Sequence, residues 1–228
     1  MTFVRGHWQL IGLIIAVFAL WQTPLLIPLK ILIVFLHEIS HAAMTLVTGG
    51  DVLKLTLSAD QGGSVLSRGG NRFLTLSAGY LGSLVIGMLL LFAALRTHAD
   101  RGLMLGFGVM MLLVAVFYVR GSFAFAFCIG SGIVMIAIAR FLPREVNDLI
   151  LRIIGLTSMV YVPYDIFSDT IARSALRSDA RMLAEEFGGA TIMWGGIWLA
   201  ISVWLIWLSC TRWLGADSNI QLRKAPAA

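Results

Sequence analysis

The sequence is short of charge and of cysteine, and each shortage excludes something. Asp, Glu, Lys and Arg make up 13% of the 228 residues, where an ordinary soluble domain carries about 25%. With 59% of the residues hydrophobic and a mean hydropathy of +0.90, a water-soluble core cannot hold the apolar side chains, so lipid is the solvent for most of the chain. That excludes a soluble globular enzyme and a disordered protein. The two cysteines, Cys128 and Cys210, lie in apolar runs far apart and form no CxxC pair, so a disulfide scaffold is excluded too. A net charge of +5 invites nucleic acid, but there is no run of bases. They stand singly between apolar blocks, as bases that meet lipid headgroups do, so the expected partner is a bilayer and not a nucleic acid. No small-x-small cleavage site follows the first apolar run, which therefore reads as a retained span and not a signal peptide.

What is present is a series of runs long enough to cross ~30 Å of hydrocarbon. They fall at residues 8–29, 31–48, 73–95, 103–119, 123–141, 146–163 and 192–213. Pro24, Pro28 and Lys30 barely divide the first two, and Arg120-Gly121 alone divides the fourth from the fifth. The reading is an all-α integral membrane protein of six or seven helices, a single polytopic domain over 1–228, multi-pass and expected in a cell membrane. Backbone amides in lipid need internal partners, which makes helix the default for every run. The 17 Lys and Arg divide almost evenly between the two sides, so the positive-inside rule leaves orientation open.

Two segments are not spans. In 51–72, Leu53, Leu55 and Leu57 alternate with Lys54, Thr56 and Ser58, then Asp60-Gln61-Gly62-Gly63 turns the chain, which predicts a small β-hairpin. In 164–186 charge is concentrated: Asp165, Asp169, Asp179, Glu185, Glu186 and three Arg gather in a chain otherwise poor in it.

The second apolar run contains His37-Glu38-Ile39-Ser40-His41 within 36–42. Two histidines four apart project from one helix face and can share a metal. Glu38 lies about 100° round the helix, able to reach a water on that metal without ligating it. Zn²⁺ held this way lowers the pKa of its water toward ~7, and a glutamate can take the proton and later pass it to a leaving amine. With four His and four Glu, HExxH arises by chance on the order of 0.001 times per chain of this length. The same intramembrane charges would also suit a metal-ion or proton transporter, or a catalytically inactive homologue that binds membrane proteins.

Around this motif stand Gly49-Gly50, Leu76-Ser77-Ala78-Gly79-Tyr80-Leu81-Gly82, Tyr164-Asp165-Ile166 with Asp169, Ser178-Asp179-Ala180, and Trp194 with Trp198. On these residues, across about 31–208, the chain resembles the site-2 protease family of intramembrane zinc metalloproteases, in its compact branch without a PDZ domain. The resemblance implies a zinc endopeptidase acting on membrane-embedded protein substrates, with His37 and His41 as ligands and Glu38 as the catalytic base. Members usually supply a third ligand as Asp followed by Gly, and here no Asp precedes Gly. Asp165 is the first choice, because Pro163 would start a new helix with Asp165 in its first turn, where the helix dipole favours a carboxylate. Asp169, one turn on, and Asp179, which equally suits an N-cap, are the alternatives as ligand or supporting group. Ala78–Ser83 offers small residues for close packing against the metal-bearing helix; the resemblance implies that this stretch lies beside the active site, and Ser83 is a candidate oxyanion donor. A free strand edge around Leu55, Thr56 and Leu57 would let unwound substrate add as a strand.

Overall fold

Stretches of about twenty apolar residues can satisfy their amides in lipid only as helices, and helices dominate the computed structural model, which describes residues 3–173 and 177–220. Helix α1 is Phe3–Leu20, and a 3₁₀ turn at Pro24–Leu26 leads into α2, Ile27–Val47. Strands β1, Asp51–Leu57, and β2, Gly63–Arg68, follow, then α3, Arg72–Arg96, α4, Asp100–Phe117, and α5, Ser122–Phe141. Helix α6, Arg144–Phe167, passes into a π-helical turn at Ser168–Ala172. A short amphipathic helix, α7, Asp179–Phe187, precedes α8, Thr191–Arg212. Of these, seven are long and apolar enough to cross a membrane, every helix but α7.

One expectation fails here. Pro163 does not begin a helix; it lies inside α6. Proline removes one i−4 hydrogen bond, and a helix packed among neighbours in lipid tolerates that where an isolated one would break.

Lipid tails are as apolar as leucine, so helix association rests on close packing and not on escape from water. The contacts reflect this. Helices α4 and α5 meet where Gly108 faces the carbonyl of Gly132, and α3 meets α6 where Gly87 and Leu91 face Gly155. Ser158 of α6 donates to the carbonyl of Ser83 of α3 at 2.9 Å.

The hairpin is antiparallel, with Leu55 opposite Val65 and Leu57 opposite Gly63. Its turn closes through Ser58 N–H to Gly62 O, 2.8 Å, with Gln61 in the left-handed region at φ 63°. Leu55 and Leu57 are buried in an apolar cluster with Phe35 and Leu36 of α2 and residues of α4, α5 and α6. A second cluster joins α3, α6, α7 and α8 through Leu84, Met159, Ile166, Leu183 and Trp198. Helix α2 therefore commits Phe35 and Leu36 to the first cluster and leaves its histidine face for α3 and α7. At the far end of the chain, Ser218 is held on α1 by its N–H to Gly6 O, 2.8 Å, and by its hydroxyl to His7 Nδ1, 2.8 Å.

Candidate metal centre

One helical turn separates His37 from His41, and the two rings meet edge to face with centroids 4.7 Å apart. Their Nε2 atoms are 3.0 Å apart. The orientation of His41 is set from behind: its Nδ1–H donates to the carbonyl of Thr75, on α3, at 2.7 Å. That bond holds a proton on Nδ1, so Nε2 is the atom that faces Asp179 and that would bind a metal.

The third member comes from α7. Ser178 caps this helix, its hydroxyl accepting the N–H of Arg181 at 3.3 Å, which releases Asp179 from the capping role that its position also suits. The Asp179 carboxylate turns to the histidines instead, Oδ2 lying 3.0 Å from His37 Nε2 and 3.2 Å from His41 Nε2. Burial acts to raise its pKa, but the charge of His41 and hydrogen bonds from both rings outweigh that and hold the carboxyl well below the usual carboxylate range.

These residues fit a metal. Each of the three offers one ligand atom, and the set lies within 4.8 Å. Edges of 3.0–3.2 Å approach the ~3.3 Å edge of a tetrahedron with bonds of about 2.0–2.1 Å. The space is kept open by Gly79 of α3, where a Cβ would lie 2.5 Å from the Nε2 atoms of both His37 and His41. Two imidazoles and a carboxylate are the ligand types of a catalytic zinc site with one position left for water.

Glu38 is buried, 5% exposed, and lines the same cavity of about 1340 Å³ as the three. Among the described residues its carboxylate has neither a hydrogen-bond partner nor an ion pair. Gly63, first residue of β2, packs directly on it: a Cβ there would come within 2.6 Å of Glu38 Oε1.

The remaining expected residues fall differently. Asp165 and Asp169 line the cavity but stand outside the triad. With α6 continuing through Pro163, Asp165 lies in the last turn of α6, facing Tyr161, and the helix-start argument for it lapses. Asp169 accepts the hydroxyl of Tyr80 at 2.7 Å and pairs with Arg173 at 2.5 Å. Ser83 spends its one O–H on its own helix, donating to Gly79 O at 2.8 Å, so it has no proton to offer an oxyanion. Leu55, Thr56 and Leu57 do not line the cavity. Leu55 N–H donates to Tyr118 O at 2.9 Å, and its carbonyl accepts Arg120 N–H at 3.2 Å, so the α4–α5 link covers the edge expected to be free. The edge that faces the cavity belongs to β2, whose residues 63–67 line it.

Sequence reasoning missed Gly63 as part of the site, and it placed Gly79 and Tyr80 beside the site only through the family resemblance, with no role for either. Gly79 and Tyr80 lie in a small-residue stretch that reads as helix packing, and Gly63 in a turn that reads as connection. Only the folded contacts bring them to the histidines and to Glu38.

The family model described as Peptidase M50B-like matches residues 10–209, a range that contains all three members of the triad and Glu38. No curated protein and no solved structure matches the chain.

Proposed function

The chain belongs to the Peptidase M50B-like family, which is the site-2 protease family, and is a multi-pass membrane protein; from that premise we propose that it is a zinc-dependent endopeptidase cutting membrane-embedded protein substrates. The observation that carries the reading is the meeting of His37, His41 and Asp179 in a cavity that also receives Glu38, which has no hydrogen-bond partner among the described residues.

His37 and His41 would hold the ion through Nε2, and Asp179 through Oδ2. When bound, zinc supplies an acidified water and polarises the substrate carbonyl. Glu38 would accept a proton from water at the site and pass it to the leaving amine nitrogen. Burial, with no fixed partner among the described residues, leaves its carboxylate free for both transfers. The Thr75 carbonyl keeps His41 in the tautomer that binds.

A peptide bond inside a helix has its carbonyl engaged, so the substrate must unwind before it is cut. Strand β2 offers a place for the extended form. Leu55 directs its N–H and C=O to the α4–α5 link, which makes Leu55 and Val65 a non-hydrogen-bonded pair. The backbone groups of Val65 therefore point to the opposite edge, as do those of Gly63. These two residues replace Leu55, Thr56 and Leu57 as the substrate-binding strand, by β-addition at the edge beside Glu38.

The test uses detergent-purified protein mixed with a membrane-protein extract, without any ion gradient, and reads new N-termini by mass spectrometry alongside zinc per protein. Wild type is expected to produce new termini. Glu38→Gln should keep zinc and produce none, and His41→Ala should lose both. New termini at wild-type rate from Glu38→Gln, or none from zinc-loaded wild type, would overturn the reading.

A further inference from the structure

Tyr80 is a large polar ring among small residues, with Ala78-Gly79 before it and, beyond Leu81, Gly82-Ser83 after it. It is buried at 2% exposure. A buried phenol costs stability unless its hydroxyl is bonded, and this one donates to Asp169 Oδ2 at 2.7 Å. The other carboxylate oxygen of Asp169 takes Arg173 at 2.5 Å. The ring stands edge-on to His37, centroids 4.7 Å apart at 81°, and lies against Trp198 of α8 at 5.5 Å. One side chain thus touches a member of the triad and holds the π turn that ends α6.

That turn is fixed from its other side as well. Thr170 is fully buried, donates to Ile166 O at 2.6 Å and is seated against Gly195 of α8. Asp179, on α7, follows Asp169 by ten residues. The elements that carry His37 and Asp179 are far apart in sequence, and Tyr80 bridges α2 to the Ser168–Ala172 turn.

We propose that Tyr80 is a positioning residue of the metal centre: its ring edge holds the imidazole of His37, and its hydroxyl, through Asp169, anchors the Ser168–Ala172 turn that precedes Asp179 in the sequence. This rests on the metal-centre reading above. It gives Asp169 the task of accepting the Tyr80 hydroxyl and makes it no ligand. Supporting groups behind metal ligands typically change metal affinity by about 10–100-fold when removed.

The experiment measures zinc affinity by chelator competition, with the thermal midpoint recorded for each variant. Tyr80→Phe keeps the ring against His37 and Trp198 and loses only the hydroxyl; it should bind zinc about 10–100-fold more weakly with little change in midpoint. Asp169→Ala should match it. The double variant should be no weaker than either single one, because both remove the same bond. Asp169→Asn, which keeps an oxygen to accept the hydroxyl, should stay near wild type. His41→Ala reports loss of the centre itself. Wild-type protein that takes up no zinc overturns the metal centre and this role with it. Zinc-binding wild type with unchanged affinity in Tyr80→Phe and Asp169→Ala, or with effects that add in the double variant, overturns the role of Tyr80 alone.

Discussion

Gly79 on α3 faces His41 on α2 so closely that a methyl group on its α-carbon would lie 2.5 Å from the Nε2 atom. Glycine inside a helix is ordinarily a weakness, and replacing it with alanine stabilises by about 1 kcal/mol. Here the same change fills the space between the two imidazoles. Gly79→Ala is expected to fold, with helical circular dichroism as in wild type, and to bring zinc per protein down to the level of His41→Ala. Full zinc in this variant would show that the ion is held elsewhere.

The third ligand is separable by the same measurement. Asp179→Ala removes a carboxylate oxygen 3.0 Å from His37 Nε2, leaving two protein ligands where catalytic zinc needs three. It should lose zinc as His41→Ala does. Asp165→Ala should keep zinc and change only the lining of the cavity. An emptied site in Asp165→Ala with full zinc in Asp179→Ala would return the assignment to α6.

The spans were legible because lipid imposes a length and a composition on any helix that crosses it, and the hairpin because Leu53, Leu55 and Leu57 alternate up to a Gly-Gly turn. The motif residues were legible because i and i+4 share a helix face whatever surrounds them. What escaped the sequence depends on distant partners. Ser178 and Asp179 are both good N-cap residues, and which of them caps α7 decides whether the other is free to face the histidines. Pro163 reads as a helix start by local rules, yet packing carries α6 through it. The outer edge of β1 looks free until Tyr118 and Arg120, more than sixty residues on, bond to Leu55.

Contact between Gly63 and Glu38 makes a prediction that separates the base from the metal. A Cβ at Gly63 would meet Oε1 of Glu38 at 2.6 Å and Val34 Cγ1 at 2.8 Å, so the carboxylate must shift. None of the three atoms that this Cβ would meet first belongs to the triad. Gly63→Ala should therefore retain zinc while its kcat falls, by about 100-fold if the base is displaced by 1 Å. Loss of zinc in step with activity would mean that the hairpin supports the whole centre and not Glu38 in particular.

The exposed edge of β2 is tested by a residue that cannot donate. Val65 directs its N–H away from β1, because its partner Leu55 directs its own groups to Tyr118 and Arg120. Proline at an edge position whose N–H is outside the ladder leaves the hairpin paired. Val65→Pro thus removes one bond to an added substrate strand, about 0.5–1.5 kcal/mol, and should raise KM roughly 2- to 10-fold with zinc content and melting temperature held. Leu55→Pro is the contrasting variant: its N–H is bonded to Tyr118 O at 2.9 Å, so it should lower the melting temperature. Equal KM in wild type and Val65→Pro, on a substrate both of them cut, would remove β2 as the docking strand.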